Sequence, residues 1–336
     1  MASKNIIVTG ATGYIGGTFA YEALKKGFKV IGIDNFCNSS PENEKKLSEF
    51  SNFTFFNCDI SKSKETIKEI IGSHNIDAII HFAGLKAVGD SEKEQALYWE
   101  NNLLSTLNLL EAIKHGDIKF IFSSSATVYG DSKIQPISEE METKTSSAYG
   151  STKLAQELLI SDYARAYKKH YMSLRYFNPV GAHSDGVIFE NFRDSPNNLM
   201  PRILRVAKGL DSHINIFGTD YKTSDGTGER DYIHISDLVN GHFAALKKIK
   251  SLPGHSFFNL GTGKKTSVKE LIDTFTNATG IEISVEVSSR REGDVEICYA
   301  SPKKANEILE WEAKKNLKDM CRDAWDAIKN EPESFK

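Results

Sequence analysis

The sequence predicts an α/β protein: a doubly wound parallel sheet followed by a smaller mixed α/β domain. Two observations carry this. Over the first half of the chain six short apolar runs, rich in Ile, Val and Phe, alternate with stretches of helical periodicity. That alternation is the signature of a parallel sheet covered by helices on both faces, whose strands are apolar on successive residues. After Asn178-Pro179 the alternation stops, and short strands mix with polar loops. The domains are therefore placed at 1–178 and 179–336.

At 336 residues the chain is longer than one typical domain. Its 40% hydrophobic and 26% charged content is that of a soluble globular protein. A net charge of −3 argues against a nucleic-acid or anionic-membrane partner. Cys37, Cys58, Cys298 and Cys321 are widely spaced with no Cys-x-x-Cys pair, and read as free thiols in a reducing compartment. No N-terminal signal pattern or bilayer-spanning apolar run is present, so the expected location is cytoplasmic, and no metal site is expected.

The first element is Asn5-Ile-Ile-Val-Thr9. Gly10-Ala-Thr-Gly13-Tyr-Ile-Gly16 follows and opens a helical stretch to Lys26. Strand, glycine turn and helix are the context of a dinucleotide-binding turn. The glycines let the backbone approach a pyrophosphate at a helix N-terminus, where free amides and the dipole favour anions. The spacing is Gly-x-x-Gly-x-x-Gly, and a glycine turn can also simply turn. The second run, Lys29-Val-Ile-Gly-Ile-Asp34, ends in an acid 18 residues past Gly16. A carboxylate there holds an adenosine ribose diol and repels a 2′-phosphate, which favours NAD over NADP. A capping aspartate at a strand end is the alternative. Read together, the two features make the sheet Rossmann-type.

Phe53-Thr-Phe-Phe-Asn-Cys-Asp59 is a third strand, again ending in an acid, suited to the adenine edge. Asp77 to Gly84 is a fourth, ending in small residues across which a cofactor can lie, with Lys86 placed for its ribose or phosphate. His81, inside that apolar run, reads as a packed strand residue rather than a base. A long helix is expected from about Ser91 to His115, with Ala96, Trp99, Leu103, Leu107 and Leu110 at helical spacing. Asn101 and Asn102 interrupt its pattern. A buried amide needs a partner, and one of the two is expected to face the cofactor.

The fifth strand, Phe120-Ile-Phe-Ser-Ser-Ser125, breaks into hydroxyls, as a strand does when it ends at a site. Tyr149 opens a helix to about Lys169, and Tyr149 and Lys153 share one face, a turn apart. A phenol, with an ordinary pKa of about 10, is a poor base near neutrality, and a neighbouring ammonium lowers that value. With a serine hydroxyl to share the proton, the three groups can take a proton from an alcohol while hydride leaves its carbon. A surface tyrosine beside a solvated lysine is the alternative. Tyr171 to Phe177 is the sixth strand.

Beyond it, His183 to Pro196 reads as a loop, Leu199 to Leu210 as a helix, Ile214 to Phe217 as a strand and Tyr221 to Arg230 as a charged loop. Phe257 to Leu260 is a short strand, Ser267 to Thr279 a helix, Ile281 to Val287 a strand and Arg290 to Asp294 a charged turn. Arg230 and Arg291 are candidate diphosphate ligands, because bidentate guanidinium geometry suits phosphate. Surface ion pairs are the other reading of both.

These stretches resemble the UDP-galactose (UDP-glucose) 4-epimerases of the extended short-chain dehydrogenase/reductase superfamily. The matches run from Val8-Thr-Gly-Ala-Thr-Gly-Tyr-Ile-Gly16 through Asp34-Asn35, His81-Phe-Ala-Gly-Leu-Lys-Ala-Val-Gly89, Ser123-Ser-Ser-Ala-Thr-Val-Tyr-Gly130, Tyr149-Gly-Ser-Thr-Lys153 and Leu174-Arg-Tyr-Phe-Asn-Pro-Val-Gly-Ala-His183. They continue with Pro196-Asn-Asn-Leu-Met-Pro201, Asp225-Gly-Thr-Gly-Glu-Arg-Asp-Tyr-Ile-His234 and Arg290-Arg-Glu-Gly-Asp294. The resemblance implies that Gly10, Gly13, Tyr14, Ile15 and Gly16 cradle the NAD pyrophosphate. It gives the adenosine ribose to Asp34, Asn35, Asn38 and Ser39, and the adenine to Asp59 and Ile60. Phe82, Ala83, Gly84, Lys86, Asn101, Tyr149, Lys153 and Phe177 line the rest of the cofactor. Ser125, Tyr149 and Lys153 are the implied catalytic residues. Lys86, Ser125, Tyr149, Asn178, Asn198, Leu199, Asn215, Phe217, Arg230, Arg291, Asp294 and Cys298 surround the UDP-sugar.

A homodimer is also implied, pairing through the helices at about 91–115 and 147–169. The segment from His183 to Pro196 departs from the family's glycine- and proline-rich pattern, and Gly17 stands where serine is common. Cys298 falls at the wall of the implied sugar pocket, where some relatives carry tyrosine and others a small residue. The expected activity is therefore NAD-dependent 4-epimerisation of UDP-hexoses, N-acetylated ones included, through a 4-keto sugar. A sugar-nucleotide dehydratase is disfavoured, because Ser125-Ala126-Thr127 stands where that class resembles Thr-Asp-Glu. A net dehydrogenase and a non-enzymatic NAD-binding protein are the remaining alternatives.

Overall fold

A computed structural model describes residues 4–190, 198–291 and 294–330. The chain divides into two compact units, and each draws on more than one segment. The first comprises 1–130, 142–175 and 241–258, and the second 131–141, 176–240 and 259–336. The sequence suggests a single cut after Asn178; the chain instead returns to the first unit at 241–258.

The first unit is built on strands β1 (Asn5–Thr9), β2 (Lys29–Asp34), β3 (Phe53–Asn57), β4 (Ala78–His81), β5 (Lys119–Ser125) and β6 (His170–Tyr176). Its sheet has seven strands, because β11 (Gly254–Leu260) adds to the β6 edge; the order is β3-β2-β1-β4-β5-β6-β11. β1 pairs in parallel with β2 and β4, as do β2 with β3 and β4 with β5. Strand order therefore reverses between β1 and β4. In such sheets the crevice outside the strand tips at that reversal is where ligands bind.

Helices α1 (Tyr14–Lys25), α2 (Pro41–Ser48), α3 (Lys64–Ser73), α4 (Val88–Lys93), α5 (Gln95–Ile113) and α6 (Ala148–Ala166) alternate with these strands. One core joins Ile7, Ile33, Ile79, Phe120 and Phe122 of the sheet to Ile67, Leu109 and Ile160 of α3, α5 and α6. On α1, Phe19 stacks on Phe243, ring centres 4.8 Å apart. The long helix expected from Ser91 to His115 is broken at Glu94, whose backbone leaves the helical region. Buried Tyr98 donates its hydroxyl to the Ala87 carbonyl at 2.8 Å. In one continuous helix those residues would lie about 16 Å apart, so the anchor requires the break.

The second unit carries short strands: β7 (Asn178–Val180) with β10 (Tyr232–His234), β8 (Ile214–Phe217) with β13 (Val285–Ser288), and β9 (Glu229–Arg230) between β12 (Thr266–Ser267) and β14 (Ile297–Cys298). Its helices are α7 (Leu199–Ala207), α9 (Val268–Thr279) and α10 (Leu317–Lys329), and α8 (Ile235–Lys248) runs from this unit into the first. The expected strand at 281–287 forms only over Val285–Ser288. Of the expected 183–196 loop and the Arg290–Asp294 turn, 191–196 and 292–293 lie outside the described residues. All four cysteines are free thiols, and no helix of the described residues is long and apolar enough to cross a membrane.

Candidate active site

The glycine turn lies at the strand-order reversal. Gly10 sits at φ +67°, and a Cβ on it would lie 2.9 Å from the Ala83 amide nitrogen at the tip of β4. A Cβ on Gly16 would lie 2.1 Å from the Gly10 carbonyl oxygen, so only glycine lets α1 start this close to β1. Gly13 is the N-cap of α1; no side chain caps the helix there, and its first turn, from Tyr14 and Ile15, holds no acid. An uncapped helix start without a carboxylate fits a pyrophosphate.

Asp34 ends β2 and is buried. Its carboxylate accepts from the Thr12 amide at 3.1 Å, the Phe36 amide at 2.9 Å and the Ser39 hydroxyl at 2.9 Å. It therefore fixes the glycine turn as well as standing at the ribose position. Asn35 accepts from the Cys37 amide at 3.1 Å, and Asn38 is exposed on the same loop. Asp59 holds Ser61, and Asn108 of α5 clamps the Ile60 carbonyl at 2.8 Å. The sequence reading missed Asn108.

At the tip of β4, Phe82, Ala83 and Gly84 are half-buried and Lys86 is exposed. His81 is fully buried, its Nδ1 2.7 Å from the Thr9 hydroxyl and its Nε2 3.0 Å from the Thr106 hydroxyl. Burial pushes its imidazole down to about 3, so it is a neutral packed residue, as read from the sequence. Of the two asparagines, Asn102 is the buried one. It bonds the Leu85 amide and carbonyl at 2.8 and 3.1 Å and the Thr152 hydroxyl at 3.0 Å, while Asn101 is half-buried beside it.

α6 begins at Ser147, whose hydroxyl accepts from the Gly150 amide at 3.1 Å. That cap puts Tyr149 in the first turn and Lys153 one turn on. Lys153 is buried, and its Nζ donates to the Ser123 carbonyl at 2.7 Å. A Cβ on Gly84 would lie 3.8 Å from that Nζ, which sets the ammonium beside the β4 tip. The Ser125 hydroxyl acts on the Tyr149 phenol, favouring its ionised form, and accepts from the Thr127 amide at 3.2 Å.

The electrostatics correct one expectation. Lys153 does not depress the phenol in the protein alone: burial pushes Tyr149 up to about 12, offset in part by Ser125. Burial likewise pulls Lys153 down to about 7, against the pull of Glu157. For each group loss of solvent is the largest cause of the shift.

In the second unit, Arg230 lies opposite Cys298 in the β9–β14 pair. Burial pushes the Cys298 thiol up to about 11, so it is a small neutral group. Arg291 pairs with Asp294 at 3.0 Å and lies 4.5 Å above the Phe217 ring. The ion-pair alternative raised for Arg291 is thus realised. Asn215 and Phe217 share one face of β8, and Asn215 accepts from the Ser288 hydroxyl at 3.1 Å. Buried Tyr221, which the sequence reading passed over, feels the charges of Asp294, Arg290, Arg230 and Arg291. Asn178 donates its amide to the Asp231 carbonyl at 3.0 Å, Asn198 and Leu199 start α7, and Phe177 is buried at the end of β6.

A Rossmann-type sheet with a serine, tyrosine and lysine at its strand tips defines a dinucleotide-dependent protein of the short-chain dehydrogenase/reductase kind. Residues 6–261 match the NAD dependent epimerase/dehydratase family, and the chain belongs to it. It is 44% identical to a UDP-glucose 4-epimerase of Cyamopsis tetragonoloba, over 100% of this chain and 98% of that protein. Among solved structures it resembles the UDP-glucose 4-epimerase from Bifidobacterium longum in complex with NAD+ and UDP, at TM-score 0.93 and 40% identity, covering 99% of this chain and 100% of that one. It also resembles the UDP-Glc/GlcNAc 4-epimerase from Campylobacter jejuni, at TM-score 0.84 and 32% identity, covering 97% and 99%.

Proposed function

We infer that this protein is an NAD-dependent 4-epimerase of UDP-hexoses that interconverts UDP-galactose and UDP-glucose. The observation that carries the reading is the convergence of Ser125, whose hydroxyl acts on the Tyr149 phenol, with Tyr149 and, one helical turn on, Lys153 at the tips of a sheet whose glycine turn and Asp34 suit NAD. When bound, NAD supplies the hydride chemistry at C4 of the sugar. The protein's own residues do the rest. Tyr149 exchanges the proton of the 4-hydroxyl, directly or through Ser125. Lys153 stands one turn from the phenol, and its charge together with that of bound oxidised nicotinamide would favour the phenolate that burial in the protein alone disfavours. The 4-keto sugar turns about its diphosphate link while the uridine end stays held, so that the hydride taken by the cofactor would return to the opposite face of C4 while Tyr149 gives its proton back to the 4-oxygen.

Gly10, Gly13, Tyr14, Ile15 and Gly16 hold the pyrophosphate in this reading, and Asp34, Asn35, Asn38, Ser39, Asp59 and Ile60 the adenosine. Phe82, Ala83, Gly84, Lys86, Asn101 and Phe177 line the nicotinamide half. Asn178, Asn198, Leu199, Asn215, Phe217, Arg230, Arg291 and Asp294 hold the UDP-sugar. Arg291 supports this assignment by exchange: its ion pair with Asp294 is half-exposed, and a diphosphate can replace the carboxylate. Cys298, small and neutral, leaves room for an N-acetyl group, so UDP-GalNAc and UDP-GlcNAc are substrates too.

Leu97, Trp99 and Leu104 of α5 and Leu158 of α6 are exposed apolar side chains, which supports a homodimer pairing through these helices. The free thiols support a cytoplasmic location. The test is product analysis. Purified protein given UDP-galactose should form UDP-glucose with no stoichiometric consumption of added NAD. Net formation of NADH, or release of water from the sugar, would overturn the reading in favour of a dehydrogenase or a dehydratase.

A further inference from the structure

Three consecutive serines end β5, and each is tied to a different residue on one face of α6. The Ser125 hydroxyl acts on the Tyr149 phenol, the Ser123 carbonyl accepts from Lys153 at 2.7 Å, and the Ser124 hydroxyl donates to Glu157 at 2.6 Å. Tyr149, Lys153 and Glu157 stand four residues apart in succession, so they rise along one helical face. The first two belong to the proton chemistry. Glu157 does not touch it, yet is the most elaborately held of the three.

Glu157 is 2% exposed and Arg175, on β6, 4%. The guanidinium grips the carboxylate through two bonds, Nε to Oε1 at 2.9 Å and Nη2 to Oε2 at 2.7 Å. Its Nη1 donates to the Tyr129 hydroxyl at 2.8 Å, and its plane lies 4.8 Å from the Tyr129 ring and 4.7 Å from that of Phe257. Burying two charges costs more than an apolar pair of the same volume would. Their retention beside the catalytic strand calls for a use.

We propose that Glu157, held by Arg175, is a positioning residue for the epimerase reaction: it pins the Ser123–Ser125 ledge to α6 and is the counter-charge of Lys153. The proposal rests on the epimerase reading above. The ledge half follows from geometry. Ser124 lies between the residue whose carbonyl anchors Lys153 and the residue whose hydroxyl meets Tyr149, so slack at Ser124 is felt at both. The charge half follows from the groups facing Lys153. They are Tyr149 and Glu157 on α6 and His81 on β4, with Arg175 of β6 behind Glu157. Glu157 is the one anion among them, because His81 is neutral and Tyr149 is protonated at rest. Without it the ammonium is harder to keep. The limb of the rate profile on which Lys153 loses its proton then moves to lower pH.

The test uses the purified, cofactor-loaded protein and UDP-galactose. Glu157→Gln should keep its bound cofactor and lower kcat roughly ten- to hundredfold, the loss that a small misplacement of reacting groups produces, with KM little changed. The alkaline limb of its kcat profile should lie at lower pH than in the unmodified enzyme, and Glu157→Asp should move it part of the way back. Ser124→Ala, which removes one hydroxyl and no charge, should lower kcat severalfold and leave the limb in place. Should Glu157→Gln not fold, Glu157→Gln with Arg175→Gln removes the unpaired guanidinium and is read in the same way. A folded Glu157 variant with normal kcat and an unmoved alkaline limb overturns the proposal. So does one that only melts earlier. If the unmodified protein forms no UDP-glucose, the epimerase reading itself fails, which is a separate result.

Discussion

Lys153 gives its ammonium to the Ser123 carbonyl at 2.7 Å, and the same nitrogen lies 5.9 Å from the centre of the Tyr149 ring. The two groups are therefore neighbours without being a bonded pair. Burial drives each toward its neutral form, the phenol up to about 12 and the ammonium down to about 7. Tyr149 alone is thus a proton donor near neutrality rather than a base. A positive charge beside it favours the phenolate, and oxidised nicotinamide carries one. The arrangement suits a residue that must first take a proton and then return it.

Tyr149→Phe tests that role. It removes the hydroxyl on which Ser125 acts and keeps the ring, so the variant should bind its cofactor as before. Turnover of UDP-galactose should fall by about 10²–10⁴-fold, the usual contribution of a general acid–base group. Wild-type kcat in this variant would remove Tyr149 from the mechanism.

Lys153 makes a pH-dependent contribution to stability. Its folded value, about 7, lies below the ordinary 10.5. Between those values the unfolded chain binds the proton more tightly than the native state, so stability rises with pH across this window. The cost of burying the ammonium is greatest below about pH 7. Lys153→Met abolishes that cost. Its melting temperature relative to the unmodified protein should therefore be more favourable at pH 6 than at pH 9, whatever the loss of the Ser123 bond adds at both. A difference that does not change with pH would show that Lys153 is not depressed in the native state.

Much of this was legible in the sequence, for physical reasons. Strands buried on both faces are apolar throughout, so β1 to β6 stood out, and the glycine turn and Asp34 are local in sequence. What stayed hidden depends on distant partners. β11 reads as a short strand of the second domain because nothing local says that it pairs with β6. The break at Glu94 is set by the Tyr98 hydroxyl reaching Ala87. Glu157 could have been found, since it continues the Tyr-x-x-x-Lys spacing by another turn, but its weight comes from Arg175, 18 residues on. The phenol's upward shift could not be read from spacing, because burial decides it.

Asp34 should select NAD. Asp34→Ser removes the carboxylate that repels a 2′-phosphate and also loosens the Thr12 and Phe36 amides it now holds. The variant should bind NAD more weakly and discriminate less against NADP, as read from the cofactor retained after purification and from titration of each dinucleotide. Equal affinity of the unmodified protein for NAD and NADP would contradict the assignment.

Cys298 should set tolerance of the sugar's 2-substituent. It lies opposite Arg230 in the β9–β14 pair, a register that fixes where its side chain stands. Its thiol is partly buried, and burial holds it neutral, so what it offers is small size rather than charge. A tyrosine there would add a ring to the same wall. An N-acetyl group must fit while the sugar turns between its two orientations, and overpacking costs about 1–3 kcal/mol, or roughly ten- to hundredfold. Cys298→Tyr should therefore suppress turnover of UDP-N-acetylgalactosamine by that factor while largely sparing UDP-galactose. The unmodified protein should turn over both. Activity on UDP-galactose with none on the N-acetylated sugar would leave the 4-epimerase standing and remove the wider substrate range. An equal loss on both sugars in Cys298→Tyr would show that the ring disturbs Arg230, and with it the hold on the diphosphate, rather than the space beside the 2-substituent.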